Sequence, residues 1–329
     1  MKYTKKYILM FIVLSLTLMN GCSWSGTSDK GKVIVLKAVE NQPENYPTTQ
    51  GTMYLGKQLE ERSHGRIKLQ MYAGGQLGQG KTISDAIEAG IIDIDRIGID
   101  VFIKEIPSLE ALLMPYVFRD SDHVRKVLDG EIGSTIAQEF EKKDMIVLGY
   151  YDSGARSFYA TKPIVTPEDL KGLQLRVLPG DLFANMMQTL GATGVPLLYN
   201  DVYPKLQTGA VSGAENSTPS YLTSKHFELA KYYTLDEHTV SPEILYISKK
   251  AWNQLSVEDQ QLLKECSAEA AKYQHKLWAE FTEQSMKALQ DKGVTILQPN
   301  KELFQKAVEP LYQKYPQHTE LIRKIQAVK

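Results

Sequence analysis

Cysteine is almost absent from this 329-residue chain, which holds only Cys22 and Cys266. Two thiols so far apart provide no disulfide framework, so stability has to come from buried cores. The means for metal or nucleophilic catalysis are equally sparse. The six histidines, at 64, 123, 226, 238, 275 and 318, include no HExxH pair, and there is no GxSxG elbow. Cys266 sits within a helical pattern, where an inert buried thiol is expected. The chain is therefore read as a non-enzyme without metal or cofactor. Positive charge is not in excess either. Lys and Arg number 38 against 39 Asp and Glu, a formal net charge of −1, and removing Lys2, Lys5 and Lys6 would shift that by three, to −4. A mildly acidic chain without a basic patch is a poor partner for nucleic acid. Long apolar runs are missing beyond the first residues, so no spanning helix is expected in the body of the protein.

What the N-terminus does contain is an export signal. In MKYTKKYILMFIVLSLTLMNGC the three lysines form a cationic head, and the run Ile8 to Leu18 is too short to cross a bilayer. The segment ends Met19-Asn20-Gly21-Cys22, which resembles the lipobox of bacterial lipoproteins and implies a lipid on Cys22. Residues 1–22 are read as the signal and 23–32, SWSGTSDKGK, as a flexible tether. The protein is then exported and held on a membrane, facing the periplasm or exterior. The roughly 300 residues that follow are enough for two lobes, each with its own core.

Strand-like and helix-like segments alternate through those residues. VIVLKAV (33–39), RIKLQMY (66–72), IIDIDRIGI (91–99) and MIVLGYYDSG (145–154) predict strands, and residues 51–63, 82–90 and 202–211 predict helices. The pattern is α/β. From Val257 to Lys292 there is neither proline nor glycine, with Ser256 as the N-cap and Gly293 as the stop. Such a helix is roughly 50 Å long, more than one small domain spans.

GGQLGQGKT (74–82) matches a phosphate-binding loop literally, from Gly75 through Gly80 to Lys81 and Thr82. Read that way, the chain is a nucleotide-binding enzyme. The helix that follows is barely two turns, however, and an exported protein has no nucleotide supply.

LKGLQLRVLPGD (170–181) sets the central question. Leu173, Leu175 and Val177 alternate with Gln174 and Arg176, as in a strand with one buried face. By itself Arg176 is either a solvated arginine on an edge strand or a fixed cation placed to receive an anion. Arg156 lies twenty residues earlier, in SGARSFY, and LQTGAVSGAEN with Asn216 follows, preceded by Tyr199. Together these segments resemble the DctP-type solute receptors of tripartite ATP-independent periplasmic (TRAP) transporters. The family's KGLKxRV strand matches at Arg176, its GxR segment at Arg156, its LQTGxVDGxEN motif at Asn216, and the aromatic before xxVY at Tyr199. AGGQLG stands at the family's PxxQLG position, and Ser212 replaces a usual aspartate.

The resemblance implies a two-lobed periplasmic-binding-protein-like fold that closes around a ligand in the cleft, with the long helix bridging both lobes. Lobe I would comprise 33–153 plus 242–281 and lobe II 154–241 plus 282–329, with crossings near Ser153 and Ser241. It also implies that Arg176 clamps a ligand carboxylate, and that a monomeric receptor hands an organic acid to a membrane permease pair. NQPENYPT (41–48), DIDRIG (93–98), YYDSGARSFY (150–159) and HFELAKYYTLDEH (226–238) resemble the hexuronate-binding subgroup. Arg96 is expected either to donate to sugar hydroxyls or to pair with Asp93, Asp95 or Asp100. Asn41 is a candidate for a hydroxyl and Tyr46 for stacking on a ring. A C4-dicarboxylate or other small carboxylate is the alternative ligand.

Overall fold

The structure is a computed structural model that describes residues 33–329. The signal, the tether and Cys22 lie outside the described residues. The chain passes through β1 (Ile34–Glu40), β2 (Ile67–Tyr72), β3 (Ile94–Gly98) and β4 (Met145–Tyr151), then β5 (Ala155–Ala160), β6 (Gln174–Val177), β7 (Thr193–Pro196), β8 (Gly213–Asn216) and β9 (Tyr232–Val240). β10 (Glu243–Ser248) and β11 (Thr295–Leu297) complete the set. They form two mixed sheets, ordered β2-β1-β3-β10-β4 and β11-β9-β5-β8-β6-β7. Each sheet therefore borrows a strand from a distant part of the chain. The backbone leaves the first sheet after Tyr151 and returns to it at Glu243, close to the crossings expected from the sequence.

Local chemistry explains where elements start and stop. The helix expected over 51–63 begins earlier, at Pro47, because proline fits the first helical position. β3 is shorter than IIDIDRIGI, starting at Ile94; just before it the Asp93 carboxylate accepts the Lys37 N–H at 2.8 Å. A single 3₁₀ turn, Ile99–Phe102, follows it. The helix over 202–211 closes at Gln207, ahead of Gly209 with its positive φ of 71°. β6 is not an edge strand. It lies between β7 and β8, parallel to both, and Leu175, Arg176 and Val177 are all buried.

The long helix runs Val257–Asp291, 35 residues, and the Ser256 hydroxyl accepts the Asp259 N–H at 3.1 Å. Leu263, Cys266 and Ala270 pack with Leu36, Leu55, Ile94 and Leu245 under the first sheet. Leu289, near the other end, packs with Tyr159, Tyr221 and Tyr233 of the second. One rigid element thus bridges two cores. A third core runs from Leu112, Leu113 and Phe118 to Phe158, Leu175, Phe304 and Ile325. The C-terminal helices Lys301–Tyr312 and Thr319–Ala327 are fastened to residues 110–119, the Tyr312 hydroxyl donating to the Pro115 carbonyl at 2.5 Å and His318 bonding Glu110 at 2.8 Å.

Where the chain first leaves the first sheet, Gln274 of the long helix clamps it. The Gln274 carboxamide accepts the Asp152 N–H at 2.9 Å and donates to the Asp152 carbonyl at 2.8 Å, as a neighbouring strand would. Gln274 is fully buried, and a Cβ on Gly51 would stand 2.8 Å from its Cβ, so the helix Pro47–Arg62 holds the clamp from behind. Gln274→Leu keeps the bulk and removes both bonds. Each buried backbone group left unpaired costs about 1–3 kcal/mol, and each kcal/mol moves the melting midpoint of a chain of this order of size by about 2–4 °C. A fall of at least about 4 °C in thermal melts is expected; an unchanged midpoint would show that the clamp holds nothing.

Candidate functional site

A cavity of about 110 Å³ is walled by residues of both sheets and the loops at their ends. Arg176, Arg156, Asn216, Tyr199, Arg96 and Asn41 all line it. Six of the seven side chains proposed from the sequence therefore meet at one place.

Arg176 projects from the middle of β6 and is 2% exposed. Its Nε and Nη2 donate to the Leu197 carbonyl at 2.9 and 2.7 Å. Among the described residues no carboxylate lies within ion-pairing distance of it. Burial lowers the proton affinity of this guanidinium; Glu215 acts against that, and the like charge of Arg156 adds to the lowering. A buried cation facing only a carbonyl is poorly compensated, and an incoming carboxylate relieves that through two charge-assisted hydrogen bonds.

Arg156, on β5, is compensated within the protein. Its Nε and Nη2 grip the Glu215 carboxylate, Nη2 also reaches the Glu215 carbonyl at 2.8 Å, and Nη1 donates to Asn216 Oδ1 at 3.1 Å. The antiparallel register of β5 with β8, Ser157 opposite Asn216, produces this grip. Asn216 thus orients Arg156 and, through Oδ1, also receives the Ser217 N–H at 2.8 Å. Burial would raise the Glu215 carboxyl, but Arg156 and His238 overcome this and hold it down to about 2.

His238 extends the row of charges. It is 1% exposed, stacks on Phe158 at 4.3 Å, bonds Asp236 through Nδ1 at 2.7 Å and lies 3.7 Å from Glu215 through Nε2. Burial lowers its proton affinity, while Asp236 and Glu215 raise it further, to about 9. Behind the cavity stands Arg156–Glu215–His238–Asp236, alternating in sign. The sequence singles out neither Glu215 nor Asp236, and places His238 only among the histidines without metal spacing and in the segment HFELAKYYTLDEH. The available signal was strand alternation in DEHTV, which puts Asp236 and His238 on one face.

On the first-sheet side, Arg96 pairs with glutamates, which corrects the expected aspartate partners. Its Nε donates to Glu40 at 2.6 Å, Nη1 to Glu243 at 2.5 Å and Nη2 to Asn41 Oδ1 at 2.7 Å. Parallel pairing places Glu40 of β1 beside Arg96 of β3. Asp95, its chain neighbour, points to the opposite face, Asp93 is held at Lys37, and Asp100 stands near Ser241. Asn41 serves Arg96 first. Tyr46 departs from expectation as well. It is 2% exposed, bonds Ser220 Oγ at 2.7 Å and sits edge-on to Trp278 and Phe281, off the cavity wall. A ring buried in that aromatic cluster has no free face for a ligand.

The glycine-rich match to a phosphate loop becomes the cavity's rim, with Gly75, Gly78 and Gly80 on the wall. Gly78 takes a φ of 110°, which other residues rarely adopt, and its Cβ would press on Thr82 at 3.0 Å. Lys81 opens a helix of eight residues and pairs with Asp85 in solvent rather than pointing inward. Among the described residues no group of three or more His, Cys, Asp or Glu is placed to hold a metal.

The charge row sets a pH dependence. Protonated His238 is stabilising, since its value is raised in the folded protein. That contribution is complete below the ordinary histidine value of about 6.5 and is lost as pH rises through about 9. The ionised Glu215 contributes in the opposite range, above the ordinary carboxylate value, and is lost as pH falls toward about 2. Melting midpoints should therefore decline between pH 6.5 and 9, and His238→Asn should flatten that decline. The same slope in both proteins would remove His238 from the account.

The model of the family "Bacterial extracellular solute-binding protein, family 7" matches residues 38–318. A solute-binding protein of Chromohalobacter salexigens is 36% identical over 282 residues, covering 85% of this chain and 84% of that one. A TRAP periplasmic solute-binding protein of Pseudomonas putida F1, solved with bound D-glucuronate, superposes with a TM-score of 0.87 at 36% identity, over 90% of this chain and 98% of that one. One from Bradyrhizobium sp., complexed with α/β-D-galacturonate, gives 0.85 at 40% identity, over 88% and 99%. With its two-sheet α/β architecture and its arginine-lined cavity, the chain belongs to the DctP family of TRAP-transporter solute-binding proteins.

Proposed function

We propose that this receptor captures a hexuronate, such as glucuronate or galacturonate, and delivers it to the membrane subunits of a TRAP permease. One observation supports this above the others: Arg176 is a buried guanidinium whose only protein partner among the described residues is the Leu197 carbonyl. It is suited to a carboxylate, and Arg156 with Asn216 stands beside it. The rest of the wall offers polar groups that suit hydroxyls. Relatives of closely similar structure bind D-glucuronate and galacturonate. The lobes we propose are 33–153 plus 242–281 and 154–241 plus 282–329, closing on the ligand by bending at the crossings near Ser153 and Ser241. Those crossings are tied together, since the Ser153 hydroxyl donates to the Ser241 carbonyl.

Truncating one partner of a buried charge pair costs roughly 2–5 kcal/mol, or about 30- to several thousand-fold in affinity. Arg176→Ala should weaken D-glucuronate binding within that range in calorimetry, and Arg176→Lys should weaken it too because the planar fork is lost. Binding by Arg176→Ala within a factor of about three of wild type, far outside that range, would remove Arg176 as the anchor. A thermal-shift screen of uronates, aldonates, C4-dicarboxylates, sialic acid and ATP with magnesium decides the ligand class. Tighter binding of succinate than of glucuronate favours a dicarboxylate receptor, and stabilisation by ATP favours nucleotide binding.

We further propose that the protein is a monomer tethered through a lipid on Cys22, on the strength of the lipobox-like MNGC. Cys22→Ser should abolish incorporation of labelled fatty acid. Label retained by that variant would place the lipid elsewhere.

A further inference from the structure

The two sides of the cavity differ in charge. Arg176 and Arg156 come from the second sheet, whereas the first-sheet side contributes Glu40, Asp95, Asp100 and Glu243 around a single cation, Arg96, with the Asp95 carboxylate taken up by the Tyr246 hydroxyl at 3.4 Å. Glu40 is used up internally: it receives Arg96, the Thr48 hydroxyl at 3.0 Å and the Gln42 N–H at 3.0 Å, with its side chain wholly buried. Its charge therefore cancels that of Arg96. Glu243 bonds Arg96 through one oxygen only and is 20% exposed. The Asp100 carboxylate folds back over Gly98, where an added Cβ would stand 2.3 Å from Oδ1, and its one side-chain partner is the Ser241 hydroxyl at 3.5 Å. Two carboxylates are left over on this side. Gln42, which lines the same cavity, adds a neutral acceptor: its buried Oε1 has no hydrogen-bond partner among the described residues.

We propose that Glu243 and Asp100 set the receptor's selectivity, accepting hydrogen bonds from ligand hydroxyls and repelling a second carboxylate brought against the first-sheet side of the cavity. A carboxylate can only accept, so each needs a donor, which a hydroxyl supplies and a ligand carboxylate does not. Like charges brought together in a closed site are strongly unfavourable. Burial raises Asp100 to about 6, with Arg156 and Arg176 restraining it, so it remains mostly ionised at neutral pH. The receptor is thereby specialised for hydroxylated monocarboxylates, against dicarboxylates of the same chain length. This rests on the reading of the cavity as the organic-acid site.

The test uses a pair of ligands that differ only at one end: D-gluconate, which ends in a hydroxyl, and D-glucarate, which ends in a carboxylate. Both are measured by displacement of D-glucuronate from wild type, Glu243→Gln and Asp100→Asn, with a melt of each variant as the folding check. Wild type should bind glucarate at least about 30-fold more weakly than gluconate. Glu243→Gln keeps the bond to Arg96 through its amide oxygen and should narrow that ratio by about tenfold or more, with Asp100→Asn moving it in the same direction. A wild-type ratio near one, or a ratio unmoved in both variants, overturns the inference. If Glu243→Gln fails to fold, Asp100→Asn alone decides. Failure of wild type to bind D-glucuronate in direct calorimetry is a separate result and overturns the hexuronate reading, while direct titration of gluconate and glucarate still measures the ratio.

Discussion

The desolvation of Arg176 is the constraint around which the site is organised. A guanidinium in the middle of a parallel strand, between β7 and β8, cannot turn toward water, and the fold supplies it with a carbonyl rather than a carboxylate. Its neighbour Arg156 is treated the opposite way, gripped by Glu215, which in turn is supported by His238 and Asp236. The contrast separates two roles for the same residue type. A fully paired arginine is held still and shapes the wall, and an unpaired one keeps its binding capacity for the ligand.

The architecture makes that capacity usable. Two sheets exchange strands at two adjacent crossings, and the long helix is anchored in the core of each. Gln274 ties this helix to the chain at Asp152, one residue before the first crossing. The tie fixes the chain at the place where it leaves the first sheet.

Across the cavity, Arg96 shows how a cation can be present and yet not available. Glu40, Glu243 and Asn41 take its donors, so this side offers acceptors and negative charge while the Arg176 side offers donors and positive charge. A molecule with one carboxylate and several hydroxyls matches both ends. The glycine-rich rim over residues 75–80 closes the space above them, which is a structural use of a motif that elsewhere cradles phosphate.

Much was legible in the sequence. Alternation and caps located most strands and the helix from Ser256 to Gly293, because those signals depend on neighbours in the chain. The motifs around Arg156, Arg176 and Asn216 were legible too, since charged residues within apolar strands stand out locally. The partners of those residues were not legible. Glu40 reaches Arg96 through parallel pairing of strands 56 positions apart, and Glu243 reaches it from 147 positions away. Asp93, Asp95 and Asp100 were nearer along the chain, but strand alternation and backbone caps direct them elsewhere. Tyr46 was judged by its ring, and only tertiary packing against Trp278, Phe281 and Ser220 shows it to be core. The sequence by itself determined which side chains carry charge and which segments are strands. Register between distant strands decided which charges cancel, and so which arginine is left without a carboxylate partner.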